Sequence, residues 1–224
     1  MRAQPDQWIE KLLIHTDGSG ILTKQWPLKP VRAGWAFTVA GRCADTGNIV
    51  HIGDAYGPVV PGGRWKARRP TNSMGELQAI AEVLSSAASM QVPVAIEIHS
   101  DSKYVLDLLG GSTASTEVAA VSALRSAFAA AQRACSIETF HVYSHQGIVA
   151  NEWADVLANR GTKGKVWPHH RQPNVDLDTV RASKPAFSLY EALFWTSVLP
   201  DDFAEPGIRK ADVFFHSILM RRRV

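Results

Sequence analysis

Apolar and polar positions alternate between two periods along the first 160 or so residues, and the changes of period divide the chain into elements. "KLLIHTDGSG" is an apolar run followed by Asp17-Gly18-Ser19, which predicts a buried strand that stops at a turn. "ILTKQWPLKPVRA" holds two prolines and reads as loop. "GWAFTVAGRCADTGNIVHIGDA" reads as two strands joined at "ADTG", a hairpin. "YGPVVPGGRWKARRP" is a basic loop. The period then lengthens. Leu77, Ile80, Ala81 and Leu84 stand at helical spacing, with Thr71 or Asn72 available as the cap. "VPVAIEIHSD" is a strand, "SKYVLDLLGG" a short helix ended by glycines, and "STASTEVAAVSALRSAFAAAQRA" a longer Ala-rich helix. "SIETFHVYSH" is a strand, and "ANEWADVLANRG" a helix closed by Gly161.

The predicted order is βββαβααβα. Three hairpin-like strands precede alternating helices and strands, so the fold class is α/β, a five-stranded mixed sheet flanked by helices. The patterned domain spans 8–162. From 163 to 224 the pattern weakens into a linker and two apolar segments, "PAFSLYEALFWTSVLP" and "ADVFFHSILM", which read as a C-terminal extension or the start of a neighbouring domain.

Composition changes this picture little. The chain has 224 residues, 46% apolar and 20% charged, as globular proteins do. Its net charge of +3 lies in the tail, because residues 1–161 hold 14 basic and 14 acidic residues. Cys43 and Cys135 are far apart and lack metal-like spacing. No apolar run reaches signal or membrane-span length, so the expectation is a soluble protein of a reducing intracellular compartment, cytoplasm or nucleus.

The acids carry the chemistry. Asp17 and Asp101 stand at the predicted ends of strands, Glu76 early in the first long helix, and Asp155 early in the last, with His145 in the loop before it. Taken singly, Asp17 suits a turn, Glu76 a helix N-terminal half favoured by the dipole, and Asp101 a helix cap. Taken together, they point to one rim of the sheet, where ligand sites tend to lie. Crowded carboxylates repel unless a cation fills the gap, and oxygen clusters suit magnesium. Two such ions about 4 Å apart can clamp a phosphodiester for in-line attack. His145 is placed to relay a proton beside them.

Four segments, "HTDGSG", "TNSMGELQAI", "HSDSKYVLD" and "SHQGIVANEWADVLAN", resemble in order the motif blocks of type 1 ribonuclease H. In the last block Asn151 follows His145 by six residues and Asp155 follows by four more, as in that family. The resemblance runs from about residue 11 to 162. It implies a ribonuclease H-like fold and metal-dependent hydrolysis of the RNA strand of RNA–DNA hybrids, with two Mg2+ ions, or Mn2+ in their place. It implies metal binding by Asp17, Glu76, Asp101 and Asp155, and proton transfer or product release by His145. It further implies minor-groove contacts by Asn72 and Asn151, a DNA-phosphate grip by Arg69 and Thr71, and an aromatic contact to the DNA strand by Tyr104. "WKARRP" equally suits a solvated basic loop. A hybrid shows 2′-hydroxyls on one strand only, which short polar side chains can sense.

Three features depart from the family pattern. The turn after Asp17 is long. The basic segment that many members insert after the third carboxylate is missing, since no Lys or Arg occurs from Tyr104 to Leu124. The tryptophan and asparagine that some members place there are replaced by "GGSTASTEV". Substrate grip therefore calls on the tail, or on a fused or partner domain. Other readings of the fold are an exonuclease, which wants an acid where Ser19 stands, and a recombinase, against which Glu76 argues. A catalytically weak hybrid-binding domain, or the ribonuclease H domain of a retroelement reverse-transcriptase polyprotein, completes the alternatives.

Overall fold

A computed structural model describes residues 9–22, 30–44, 47, 49–89, 94–112 and 115–166. The two apolar C-terminal segments and the basic tail lie outside the described residues, as does the heart of the proline-containing loop at 23–29. The elements are β1 (Ile9–Leu22), β2 (Pro30–Cys43), β3 (Ile49–Pro58), α1 (Asn72–Ala88), β4 (Ala95–Ser100), α2 (Lys103–Leu109), α3 (Val118–Ala134), β5 (Ile137–His141) and α4 (Val149–Thr162). Their order is the predicted βββαβααβα. They build one five-stranded sheet in the order β3-β2-β1-β4-β5. β1–β2 and β2–β3 pair antiparallel, whereas β1–β4 and β4–β5 pair parallel.

The strand period of two sorts the core. Leu12 and Ile14 of β1 and Ile96 and Ile98 of β4 are buried in one cluster with Leu77, Ile80 and Leu84 of α1 and Leu124 of α3. On the other face, Trp153, Leu157 and Ala158 of α4 pack on Ala36 and Tyr56. Among the described residues no helix is long and apolar enough to cross a membrane.

Two expectations need correcting, and both concern glycine. β1 does not stop at Asp17. It runs on to Leu22, with Asp17 paired to Ala36 and Ser19 to Gly34. What ends near Asp17 is the parallel half of the sheet, whose last pair is Thr16 with Ser100. Gly18 serves an approach rather than a turn. A Cβ there would lie 2.1 Å from the Glu76 amide nitrogen, so only glycine lets α1 sit this close to the strand. The second correction is Gly161, which lies inside α4. A Cβ on it would meet the Gly57 carbonyl oxygen at 2.3 Å, and one on Gly34 the Ala158 carbonyl oxygen at 2.1 Å. The left-handed residue past the helix end is Gly164, at φ 77.

Candidate active site

Three elements bring three carboxylates to one point. Asp17 comes from β1, Asp101 from the residue after β4, and Glu76 from α1, whose close seat on Gly18 sets its reach. Each offers a ligand oxygen, and those oxygens all lie within 4.8 Å of one another. Asp17 is 6% and Glu76 9% exposed. Glu76 Oε2 and Asp101 Oδ1 are enclosed and have no hydrogen-bond partner. Buried oxygens are seldom left unpaired in folded proteins.

The electrostatics follow from that crowding. Burial pushes the Asp17 carboxyl up to about 8, with Asp101, Glu76 and Asp155 adding repulsion and the Gly18 N–H opposing it. Burial likewise takes Glu76 up to about 7. Asp101 adds to this, while hydrogen bonds from Ser102 and Asn72 work against it. Without a counter-charge Asp17 and Glu76 hold protons near neutrality. A divalent cation fits it on two grounds of this structure: hard oxygen donors only, and two of them orphaned.

Asp155 stands apart from the triad. It lies near enough to raise Asp17, but its Oδ1 accepts a hydrogen bond from Asn159 Nδ2 at 3.0 Å. Asn159 Oδ1 in turn accepts from the Ser19 hydroxyl at 2.7 Å. His145 is exposed in the β5–α4 loop at φ 55, a left-handed conformation uncommon outside glycine that histidine adopts more readily than most. Its neighbour Ser144 ties that loop to the cluster, the hydroxyl donating to Asp101 Oδ2 at 2.6 Å. Gly147 N–H donates to Glu152 Oε1 at 3.0 Å and fixes the far end of the loop on α4.

The residues expected to meet nucleic acid divide. Arg69, Asn72 and Tyr104 are exposed and Thr71 is half-buried. Asn72 Nδ2 donates to Glu76 Oε1 at 2.9 Å, so it touches the cluster. Thr71 caps α1, its hydroxyl accepting from Met74 N–H at 3.2 Å. Tyr104 donates to the Ser115 hydroxyl at 2.7 Å. Asn151 is the one that is buried. The first turn of α4 folds it inward, 3% exposed, with Oδ1 unpartnered. Ser144, Ser19 and Asn159 were missed from the sequence. Only Asn159 left a readable sign, four residues beyond Asp155 on the same helical face.

A model of the RNase H family matches residues 10–163. Among solved structures, the chain resembles LC9-RNase H1, described as a type 1 RNase H with the type 2 active-site motif. The identity is 16%, over 80% of this chain and 86% of that one, with a TM-score of 0.54. The N-terminal RNase H domain of a Mycobacterium tuberculosis protein is 20% identical over 68% of this chain and 94% of that one, at a TM-score of 0.45. A foamy viral protease-reverse transcriptase solved with double-stranded DNA is 17% identical over 71% and 98%, at 0.48. No curated protein gives a match. The likeness to LC9-RNase H1 speaks for the fold alone. The family model does more, since its span takes in β1 through α4 and with them all three clustered carboxylates: the chain belongs to the RNase H family.

Proposed function

We propose that this protein is an endoribonuclease that hydrolyses the RNA strand of RNA–DNA hybrids. The observation that carries the reading is the meeting of Asp17, Glu76 and Asp101 with two enclosed, unpartnered oxygens, in a chain of this family. Asp17, Glu76 and Asp101 would hold divalent cations, magnesium by their all-oxygen character, and Asp155 would complete the set. Bound there, the ions supply charge stabilisation to the attacking and leaving oxygens of a phosphodiester. The chain's own residues do the rest. Asn72, exposed and bonded to Glu76, sits where a 2′-hydroxyl of the RNA strand can be sensed beside the scissile bond. Arg69 and the Thr71 hydroxyl, which still has its proton to donate, grip a phosphate of the DNA strand at the start of α1. His145, exposed on a loop tied at both ends, moves a proton to or from the reacting oxygens.

The test is magnesium-dependent cleavage of a labelled hybrid by the wild type and by Asp101→Asn. The wild type cuts RNA in the hybrid and leaves DNA–DNA intact, while Asp101→Asn loses nearly all activity. Equal cutting of duplex DNA would overturn the strand preference, and full activity in Asp101→Asn would overturn the site.

A further inference from the structure

The loop between β3 and α1 alternates at its centre. Arg64, Lys66 and Arg68 are exposed, whereas Trp65 and Ala67 between them are buried. The buried residues are anchors. Trp65 is 6% exposed and its indole N–H donates to Glu82 on α1, a carboxylate that Gln78 and Arg64 also approach. Arg64 is committed to the same helix: it lies 4.7 Å from the Trp65 ring centroid and donates to the Ser85 hydroxyl at 2.6 Å. The backbone is turned tightly, with Gly62 N–H on the Ala67 carbonyl at 2.8 Å and Lys66 at φ 58. On the other side, Arg68 N–H donates to Glu117 Oε2 at 3.2 Å, just ahead of α3. The loop is thus fastened to α1 and to the start of α3. Lys66, Arg68 and Arg69 remain exposed with no ion pair among the described residues.

Glu117 also joins this loop to Tyr104, because Glu117 N–H and the Tyr104 hydroxyl both donate to the Ser115 hydroxyl oxygen. The cations therefore border the same surface as Tyr104, next to the stretch from 104 to 124 that has no Lys or Arg. We infer that Lys66 and Arg68, displayed by the Trp65–Glu82 anchor, form a second row of phosphate contacts to the hybrid, between the start of α1 and Tyr104. This rests on the hybrid reading above and names the surface that holds the duplex. A cation on a fastened loop loses little freedom when it meets a phosphate, unlike one on a free tail. Glu117 repels a phosphate placed directly on the Arg68 backbone, so the contacts come from the Lys66 and Arg68 side chains. Trp65 and Glu82 are positioning residues for them.

The experiment measures hybrid binding against salt for the full chain, with every protein carrying Asp101→Asn to prevent cleavage. Each phosphate contact contributes roughly 0.7–0.9 to the slope of log K against log salt. The Lys66→Gln/Arg68→Gln variant should bind more weakly, with a slope lower by about 1.4–1.8. Trp65→Phe, which keeps an aromatic ring and both cations but loses the indole N–H, should also weaken binding, while Glu82→Gln, which keeps a carbonyl acceptor, should retain it. An unchanged slope in the double variant means a solvated basic loop and overturns the inference, as does absence of hybrid binding by the full chain at low salt. Cleavage by the otherwise wild-type chain is read separately. A reduced slope with no cleavage would leave the contact row standing and sink the hydrolase reading.

Discussion

Asn159 shows how much of this candidate site depends on residues outside its carboxylate cluster. Its amide spans two partners, donating to Asp155 and accepting from Ser19, so a helix side chain and a strand hydroxyl together aim the outlying carboxylate. Groups that orient a metal ligand typically matter by 10–100-fold in metal affinity. Asn159→Ala should therefore raise the magnesium concentration for half-maximal cleavage about tenfold, with little change at saturating metal. A magnesium titration checks this, and an unchanged midpoint would show that Asp155 finds its place without help. His145 makes a different prediction. It lies outside the triad, on a loop that Ser144 and Gly147 hold at either side. His145→Ala should lower turnover by about 10²-fold at unchanged metal dependence. A loss as complete as that of Asp101→Asn would mean that His145 binds metal instead.

At the scale of elements, α4 is held down by a buried polar cluster. Asp54 of β3, 7% exposed, takes a hydrogen bond from the Trp153 indole at 3.1 Å and pairs with His51 at 2.9 Å. Burial alone would raise the Asp54 carboxyl, but His51, Thr38 and Trp153 together hold it below the usual carboxylate range. Burial would lower His51, but Asp54 overrides it and raises that imidazole. The pair stabilises the fold while both are charged: its contribution is lost as pH falls through the lowered Asp54 value, and as pH rises through the raised His51 value. Asp54→Asn removes the buried negative charge that faces His51 and should destabilise the fold by about 3 kcal/mol, measured by urea unfolding near pH 6. A change under about 1 kcal/mol would show the pair to be dispensable. This cluster was not legible in the sequence, because partners separated by 99 positions meet only once α4 lies on β3. The element order was legible, since period two and period 3.6 are local properties. So was the meeting of Asp17, Glu76 and Asp101, whereas Asp155, singled out with them, stands apart from the three. The glycines misled because a local reading assigns them to turns, whereas Gly18 and Gly161 answer to an element packed against them from elsewhere in the chain. The Trp65 loop was left open between a phosphate grip and a solvated loop, because its anchor is visible only once α1 supplies Glu82.

For the whole molecule, the cluster proposed to hold cations is also a debt in stability. Asp17 rises from 3.8 to about 8 and Glu76 from 4.5 to about 7 on folding. Between those ordinary and raised values the folded chain binds protons that the unfolded chain has released. Stability must then fall as pH climbs, because it rises with pH only where the unfolded state holds more protons. The metal-free protein should therefore melt at progressively lower temperature from about pH 5 to pH 8. On the proposed reading magnesium competes with those protons for the same oxygens, so its stabilisation should grow across that interval. Thermal melts with chelator and with millimolar magnesium, at pH 5 and pH 8, test both halves. Asp17→Asn removes the carboxyl whose value rises most on folding, so its chelated melting temperature should depend less on pH and respond weakly to magnesium. A chelated wild type equally stable at both pH values, gaining the same from magnesium at each, would mean that the three carboxylates do not share one cation-binding space.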